Sequence, residues 1–459
     1  MTVQTSRRAF LAAASAFTVG VALPGSRARA GVVASRLPLN PERLATYISI
    51  NPDGTAVGWI GKIDMGQGTD VGWAQMIAEE LDLPVEKVSI VQGHTDVTFN
   101  MGGASGSTGI WKGGVVMRAA AAEARGVLMG MAAEKLGVPV EQLTADNGVV
   151  SVKGDPAKQV TYASLVGGQH FDTLLTWNKQ VGSDLMVEGK TKPKSPKDYR
   201  IVGKTSPARR DVAEKILGVH VYNVDAKVDG MLHGRVIRPP VAGAVPVSVD
   251  ESSIAKIPGV QVVREKDFIG VVAPKEWHAV RAARELKVVW SDVKPPFPGS
   301  DKIHDHIRAA PTLKRDVDKE KGKIDEAFAK AAKVFEAVYE WPFQSHASMG
   351  PASGLVDARP DGVKLWSASQ KPHYARDGVA KLLGLPQDKA VCVSLTGPGS
   401  YGRNDSGDVV MDAAVLSRAV GKPVRVQSMR HEGTGWDPKA PASVHTSRVA
   451  LDADNKITA

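Results

Sequence analysis

Asp64-Met65-Gly66-Gln67-Gly68-Thr69 runs straight into a segment of helical periodicity, and its residue types suit a ligand with phosphate or other electron-rich groups. Gly66 and Gly68 let the backbone come close to such a ligand, Gln67 adds an amide that both donates and accepts, and a helix N-terminus offers N–H groups with positive dipole character. Taken by itself, an ordinary glycine-rich turn ahead of a helix explains this segment equally well. A second small-residue loop, Gly102-Gly103-Ala104-Ser105-Gly106-Ser107-Thr108-Gly109, also stands at the head of a helix. Far along the chain, Leu365-Trp366-Ser367-Ala368-Ser369-Gln370 reads as a strand ending in a polar turn, and Gly397-Pro398-Gly399-Ser400-Tyr401-Gly402-Arg403-Asn404 as a loop that opens a helix. From the residue alone, Gln370 is a solvent-facing turn amide. The 397–404 loop is a poor nucleotide loop, because no Lys-Ser/Thr follows its glycines.

The elements that must position these groups are legible as patterns. Val71, Ala74, Ala78 and Leu81 recur at helical spacing, with Thr69 or Asp70 as the expected N-cap. A longer helix is predicted over Val115–Leu136, stopped by Gly137 and Pro139. Upstream, Ala45–Ile60 reads as a hairpin turning at Asn51-Pro52-Asp53-Gly54. Arg210–Trp290 reads as a compact αβ unit, with strands near Val219–Val224, Leu232–Val236, Val260–Val263 and Ile269–Val272 and a helix over Glu276–Leu286. Helices are expected at Ala375–Leu383 and Asp408–Val420, the latter with Val409, Ala413, Leu416 and Val420 on its apolar face. Val444–Leu451 is a predicted strand, followed by a turn and the first residues of a returning strand at Ile457-Thr458-Ala459. Asp184–Arg210, where lysines alternate with Pro193, Pro196 and Gly189, reads as a solvated linker. Pro295–Lys323 reads as a second linker whose His304 and His306 are surface residues.

Composition narrows the function. The chain has 459 residues, 43% hydrophobic and 23% charged, so it can bury several cores and two or three domains are expected. Its net charge of +9 includes Arg7, Arg8, Arg27 and Arg29 in a leader without acids; without them +5 remains, and no nucleic-acid binding is read from it. The single cysteine, Cys392, lies in an apolar run and reads as a buried thiol. One cysteine cannot hold an iron–sulfur cluster, which takes about four ligands. Ser6-Arg7-Arg8-Ala9-Phe10-Leu11, an apolar run and Ala28-Arg29-Ala30 form a twin-arginine export signal with expected cleavage after Ala30 and periplasmic delivery of a folded protein. That apolar run is too short for a good transmembrane span, and nothing later resembles one. A hydrolase is disfavoured: there is no Gly-x-Ser-x-Gly elbow, and Ser105, Ser107 and Ser400 have no evident His and Asp partners.

Gly61–Leu136, with the Gly-Gln-Gly turn and the Ala-Ser-x-Ser loop in order, resembles the molybdopterin-binding large subunits of the xanthine dehydrogenase type. The likeness extends from Leu39 to Ala459. Arg210–Lys215 through Met231–Pro240, with Ile257–Val260, is similar to the inserted α/β hammerhead domain of that family, and Glu340–Met349 to the segment opening its molybdenum-binding domain. The order of the motifs resembles the permuted, exported isoquinoline 1-oxidoreductase and aldehyde-oxidising branch. The resemblance implies an α+β large-subunit fold with a leader over 1–30, a permuted molybdopterin-binding segment over 31–205, a hammerhead domain over 206–300 and an incomplete molybdopterin-binding domain over 301–459.

It also implies the chemistry: hydroxylation of a carbon next to nitrogen or oxygen, in an aldehyde or N-heterocycle, with water as the oxygen source. Molybdopterin cytosine dinucleotide with molybdenum is the implied cofactor. Its implied contacts are Gly66, Gln67, Gly68, Thr69, Ala104, Ser105, Gly106, Ser107, Gln370, Gly399, Ser400, Tyr401, Gly402 and Arg403. Gln370 takes the place of a glutamine that hydrogen-bonds a terminal oxygen on molybdenum. Tyr401 and Gly402 match an aromatic-glycine pair, although Pro398 departs from the usual glycine and Tyr stands where Phe is frequent; Asp405 stands near a carboxylate position. Implied partners are a small iron–sulfur subunit and a cytochrome c further along. The family's base is a glutamate in Gly-x-Gly-Glu, a motif absent from these residues. The chain is therefore expected to lack a C-terminal part, with a non-catalytic cofactor-binding remnant as the alternative reading.

Overall fold

In a computed structural model of the chain, residues 38–166, 168–404 and 406–459 are described; the leader and Asp405 lie outside them. The fold is mixed α and β and divides into two units. One comprises residues up to 231 with 352–400 and 406–427, and the other 232–351 with 401–405 and 428–459.

The first unit opens with the expected hairpin. β1 (Ile48–Ile50) pairs antiparallel with β2 (Ala56–Ile60), and β2 pairs parallel with β3 (Val88–Gln92). A parallel pair needs a crossover, and α1 (Thr69–Leu81) lies between those strands in sequence. α1 buries Val71, Ala74, Ala78 and Leu81 as the periodicity requires, and Trp73 and Ile77 besides. α2 (Val115–Leu136) ends where predicted, at Gly137 with φ +65°. The N–H groups of Gly137 and Val138 there bond the carbonyls of Glu134 and Ala133. β4 (Leu143–Asp146), β5 (Val149–Val152) and β6 (Asp155–Thr161) form an antiparallel sheet.

The 184–210 segment departs from the solvated linker its composition suggests. Its lysine side chains mostly face water, but its backbone is strapped to α1 and α2 by buried carboxylates. Glu123 accepts the Thr191 N–H at 2.7 Å, Glu80 the Lys194 N–H at 3.0 Å, and Glu79 the N–H groups of Arg200, Ile201 and Val202 at 3.0, 2.6 and 2.9 Å. Glu80 is further paired with Arg118 and Arg125 at 2.9 and 2.8 Å. Burial alone would raise the Glu79 carboxyl; the three N–H groups and Lys194 outweigh it and hold it below the usual carboxylate range. Nothing in the segment's own composition signals this, because the acceptors sit on helices far upstream.

The second unit carries β7 (Leu232–Ile237), β8 (Pro246–Asp250), β9 (Gln261–Glu265), β10 (Phe268–Ala273), α3 (Glu276–Glu285) and β11 (Lys287–Trp290). β10 pairs antiparallel with both β9 and β7, and β8 with β11. No strand forms at Val219–Val224, which belongs to the first unit. Asn223 there is buried; its amide donates to Ser353 O at 2.6 Å and to Ser353 Oγ at 3.0 Å, its backbone N–H bonds Thr396 O at 2.8 Å, and Asn223–Asp225 forms a short 3-10 turn. The Pro295–Lys323 linker contains α4 (Ile303–Ala309), so His304 and His306, two apart, point to opposite sides of a helix. His304 Nε2 donates to Trp341 O at 3.1 Å, and no group of three or more His, Cys, Asp or Glu fit to hold a metal occurs among the described residues.

β12 (Lys333–Trp341) closes this stretch, and the chain re-enters the first unit through β13 (Ser353–Arg359), β14 (Gly362–Ser367), α5 (Pro372–Leu383), β15 (Ala390–Ser394), α6 (Ser406–Val420) and β16 (Val424–Gln427). Their sheet runs β16-β13-β14-β15, with β14 and β15 parallel. β17 (Ser443–Leu451) returns to the second unit and pairs antiparallel with β12 along its whole length. Beyond it, Thr458 N bonds Ala450 O at 2.9 Å and Ala450 N bonds Ala459 O at 2.7 Å, the start of the predicted returning strand.

Cys392, on β15, is fully buried, and burial pushes its thiol up to about 12. Thiolate is the reactive form, so iodoacetamide at pH 8 should leave the native protein unlabelled and modify it only after unfolding, read by mass spectrometry. No helix among the described residues is long and apolar enough to cross a membrane.

Candidate functional site

The Gly66–Thr69 turn is held from two sides. Gly66 and Gly68 take φ of +108° and +84°, values that favour glycine, and Gly68 rather than Thr69 or Asp70 is the N-cap of α1. Asp64 does the capping: its carboxylate accepts the N–H groups of Gly66, Gly68 and Asp70 at 2.7, 3.2 and 3.0 Å. The N–H groups that the sequence offers to a ligand are therefore largely engaged within the turn. Gln67 likewise folds back, with Oε1 accepting Met65 N–H at 2.6 Å. From behind, Arg209 donates to Gly66 O at 2.5 Å and grips Asp211 at 3.0 and 2.6 Å. The Arg209 guanidinium, then Lys215, holds the Asp211 carboxyl well below the usual range. What remains open is the Thr69 hydroxyl, buried and without a partner, and the side of Gly66, where an added Cβ would meet nothing within 4 Å.

The second loop packs beside this turn. Trp73 Nε1, one turn into α1, donates to Gly109 O at 2.9 Å, and a Cβ on Gly109 would lie 3.3 Å from Thr69 Cγ2. Gly109–Gly114 forms a π-helical turn leading into α2, a feature often found at functional sites. The loop also meets the turn after β14: Ala104 N donates to Gln370 O at 3.1 Å, and a Cβ on Gly103 would collide with Lys371 Cγ at 2.4 Å. Gln370 Nε2 in turn donates to Ser400 Oγ. The first unit thus brings together the helix behind Gly66–Thr69, the 102–109 loop, Gln370 and Ser400 from separate stretches of chain, with direct bonds from Trp73 to Gly109, from Ala104 to Gln370 and from Gln370 to Ser400. Ser105, Gly106 and Ser107 remain exposed, the last two left-handed at φ +67° and +56°.

Tyr401, Gly402 and Arg403 belong to the second unit. Gly402 has φ +121°, and a Cβ there would lie 2.5 Å from His346 Nδ1, which itself donates to Tyr401 O at 3.2 Å. Ser348 Oγ donates to Arg403 O at 3.1 Å, and Arg430 bonds the carbonyls of Ser348 and Met349. Tyr401 is 60% exposed. The sequence singles out the 340–349 segment but does not show that His346 and Ser348 support the aromatic loop.

Nor does it single out Lys62. This side chain is 1% exposed, and its Nζ donates to Gly103 O at 2.8 Å, Thr108 Oγ1 at 2.9 Å and Ser183 Oγ at 3.3 Å. Lys62 is adjacent to a glycine and precedes the turn by a few residues, so its type alone reads as a surface cation. An orphaned hydroxyl, open space at Gly66, an exposed serine loop and a buried cation behind it together fit an anionic, hydrogen-bonding cofactor.

Two molybdopterin cofactor-binding domain families match the chain, one over residues 9–228 and one over 304–459. A nicotinate dehydrogenase subunit of Pseudomonas putida is 37% identical over 425 residues, covering 91% of this chain and 34% of the relative. The beta subunit of isoquinoline 1-oxidoreductase of Brevundimonas diminuta is 28% identical over 504 residues, covering 100% of this chain and 64% of the relative. The chain thus spans between about a third and two thirds of the length of these relatives. The quinoline 2-oxidoreductase structure from Pseudomonas putida 86 overlaps 55% of this chain and 38% of its own at 21% identity, with a TM-score of 0.46. With both domain matches and these relatives in agreement, the chain belongs to the molybdopterin-binding large subunits of the molybdenum hydroxylase family.

Proposed function

We propose that this chain is the cofactor-binding portion of an exported oxidoreductase that hydroxylates an aldehyde or an N-heterocycle, taking the oxygen from water. The observation that carries the reading is the convergence of Gly66–Thr69, Ala104–Ser107, Gln370 and Ser400 in one unit. The names of the relatives, acting on nicotinate and isoquinoline, support the substrate class. The proposed cofactor is molybdopterin cytosine dinucleotide; when bound, molybdenum supplies a two-electron redox couple and makes water-derived oxygen nucleophilic near neutrality.

The chain's own residues bind and orient. Ser105, Gly106 and Ser107 present hydroxyls and backbone, the Thr69 hydroxyl offers an unused hydrogen bond, and Gln370 offers an amide steadied by Ser400. In the second unit, His346 donates to Tyr401 O and supports the aromatic loop that the resemblance assigns to the cofactor. Cys392, the chain's one cysteine, is buried, so electrons leave through clusters held elsewhere, which we assign to an iron–sulfur subunit and then a cytochrome c. The twin-arginine leader directs the folded protein to the periplasm with cleavage after Ala30, and the strands and helix from β7 to β11 form the hammerhead domain. The test is metal and pterin analysis of the mature protein purified with its subunits, followed by turnover of nicotinate, isoquinoline and aldehydes in water labelled with heavy oxygen. Stoichiometric molybdenum and label in the product are expected; protein devoid of both molybdenum and pterin overturns the reading.

A further inference from the structure

The Lys62 ammonium has three donors and meets three acceptors, all of them neutral oxygens: Gly103 O, Thr108 Oγ1 and Ser183 Oγ. Its stem runs beneath Gly113, where an added Cβ would sit 3.0 Å from Lys62 Cγ. The Thr108 hydroxyl closes the shell by bonding Ser105 O at 2.9 Å. A buried cation normally has a counter-charge. The neighbouring carboxylate, Asp184, is instead engaged by Lys112 at 3.2 Å and is 78% exposed. Burial, with help from Lys112 and only partly offset by Asp184, pushes the Lys62 ammonium down to about 8, so near neutrality it is still charged and costly to keep. Its position is specific: it lies on the inner side of the loop whose outer side is the exposed Ser105-Gly106-Ser107. The adjoining turn holds the orphaned Thr69 hydroxyl, an independent sign of a polar ligand on this face.

We propose that Lys62 is the buried counter-cation of an anionic group of the cofactor, acting through the Gly103–Thr108 loop, and that it positions that loop while favouring the charged ligand. The inference rests on the reading above, that these loops hold a molybdenum–pterin cofactor. The ligand's charge offsets a cost present in the cofactor-free protein, so charge and binding are coupled: removing the charge weakens binding more than it weakens the fold.

The experiment compares wild type, Lys62→Met and Lys62→Gln, each purified as the full protein from a host that makes the cofactor and from one that does not. Molybdenum by mass spectrometry, pterin by fluorescence after oxidation, the rate of pterin release and the two melting temperatures are read. The expected result in both variants is pterin release faster by about tenfold or more, together with a smaller gap between loaded and cofactor-free melting temperatures. The role of a residue that only stapled the loop would be filled by Lys62→Gln, whose neutral amide still donates to the loop oxygens; wild-type pterin release in Lys62→Gln, or unchanged release in Lys62→Met, overturns the proposal. If Lys62→Met does not accumulate in folded form, pterin release in Lys62→Gln alone decides. Wild type without molybdenum or pterin would instead defeat the underlying reading and is recognised before any variant is compared.

Discussion

Glu79→Ala is expected to cost about 3–5 kcal/mol of stability, the range for breaking a buried charged network by removing one partner. Its carboxylate is 2% exposed and accepts the N–H groups of Arg200, Ile201 and Val202, and alanine leaves all of them without an acceptor. The loss is local before it is global: the 197–204 end of the strap should detach, while Glu123 and Glu80 still hold Thr191 and Lys194, and the basic residues of the freed end become substrates for trypsin. Limited trypsinolysis under native conditions should cut wild type slowly and the variant quickly, at Lys197, Arg200 or Lys204, while chemical denaturation reports the lower stability. Equal cleavage in both proteins would show that the strap does not depend on this carboxylate. The pH dependence has a definite sign. The native Glu79 carboxyl is held below its unfolded value, so its contribution is complete above the ordinary carboxylate pKa of about 4.3 and is lost as the pH falls from there through the lower native value. Acid sensitivity attributable to Glu79 should therefore appear only below that range and vanish in the alanine variant.

This strap also marks where sequence reasoning runs out. Helices with one apolar stripe, such as α1 and α2, the latter with a glycine stop, declare themselves because the period and the cap are local properties. The hairpin at β1 and β2 does so for the same reason. The apparent linker at 184–210 and the false strand at Val219–Val224 share a different cause. In each, partners distant in sequence hold the backbone, Glu79 in one case and Ser353 and Thr396 in the other, and no local pattern encodes them. At the site, residue type alone leaves Gly66–Thr69 as an ordinary turn and Gln370 as a solvent-facing amide; the family resemblance is what singles out Gly66–Thr69, Ala104–Ser107, Gln370 and Ser400. The supports beneath them are not legible. Asp64, Lys62, Arg209 and His346 are ordinary polar residues until the fold places Asp64 over three N–H groups, Lys62 inside a loop, Arg209 behind a carbonyl and His346 against Gly402.

Two glycines a few residues apart should respond very differently to alanine, because they are glycines for different reasons. At Gly61 an added Cβ would lie 1.8 Å from Phe99 O and 2.8 Å from Met101 N, both backbone atoms that cannot rotate away. The close approach is what brings the 99–103 segment alongside Gly61-Lys62, with Gly61 N–H on Met101 Sδ at 3.2 Å and Lys62 on Gly103 O at 2.8 Å. Gly61→Ala must push that segment aside, so it should cost about 3 kcal/mol or more, at or beyond the upper end of ordinary overpacking, and should strip the second loop of its support. At Gly66 the added Cβ meets nothing within 4 Å, and the penalty is only the left-handed backbone at φ +108°, about 1–3 kcal/mol. Purified side by side, Gly61→Ala should lose both thermal stability and bound pterin, whereas Gly66→Ala should keep most of its stability and change chiefly how tightly pterin is held. If Gly61→Ala retained wild-type melting and wild-type pterin, the contact between the two loop-bearing segments would not be what assembles the site.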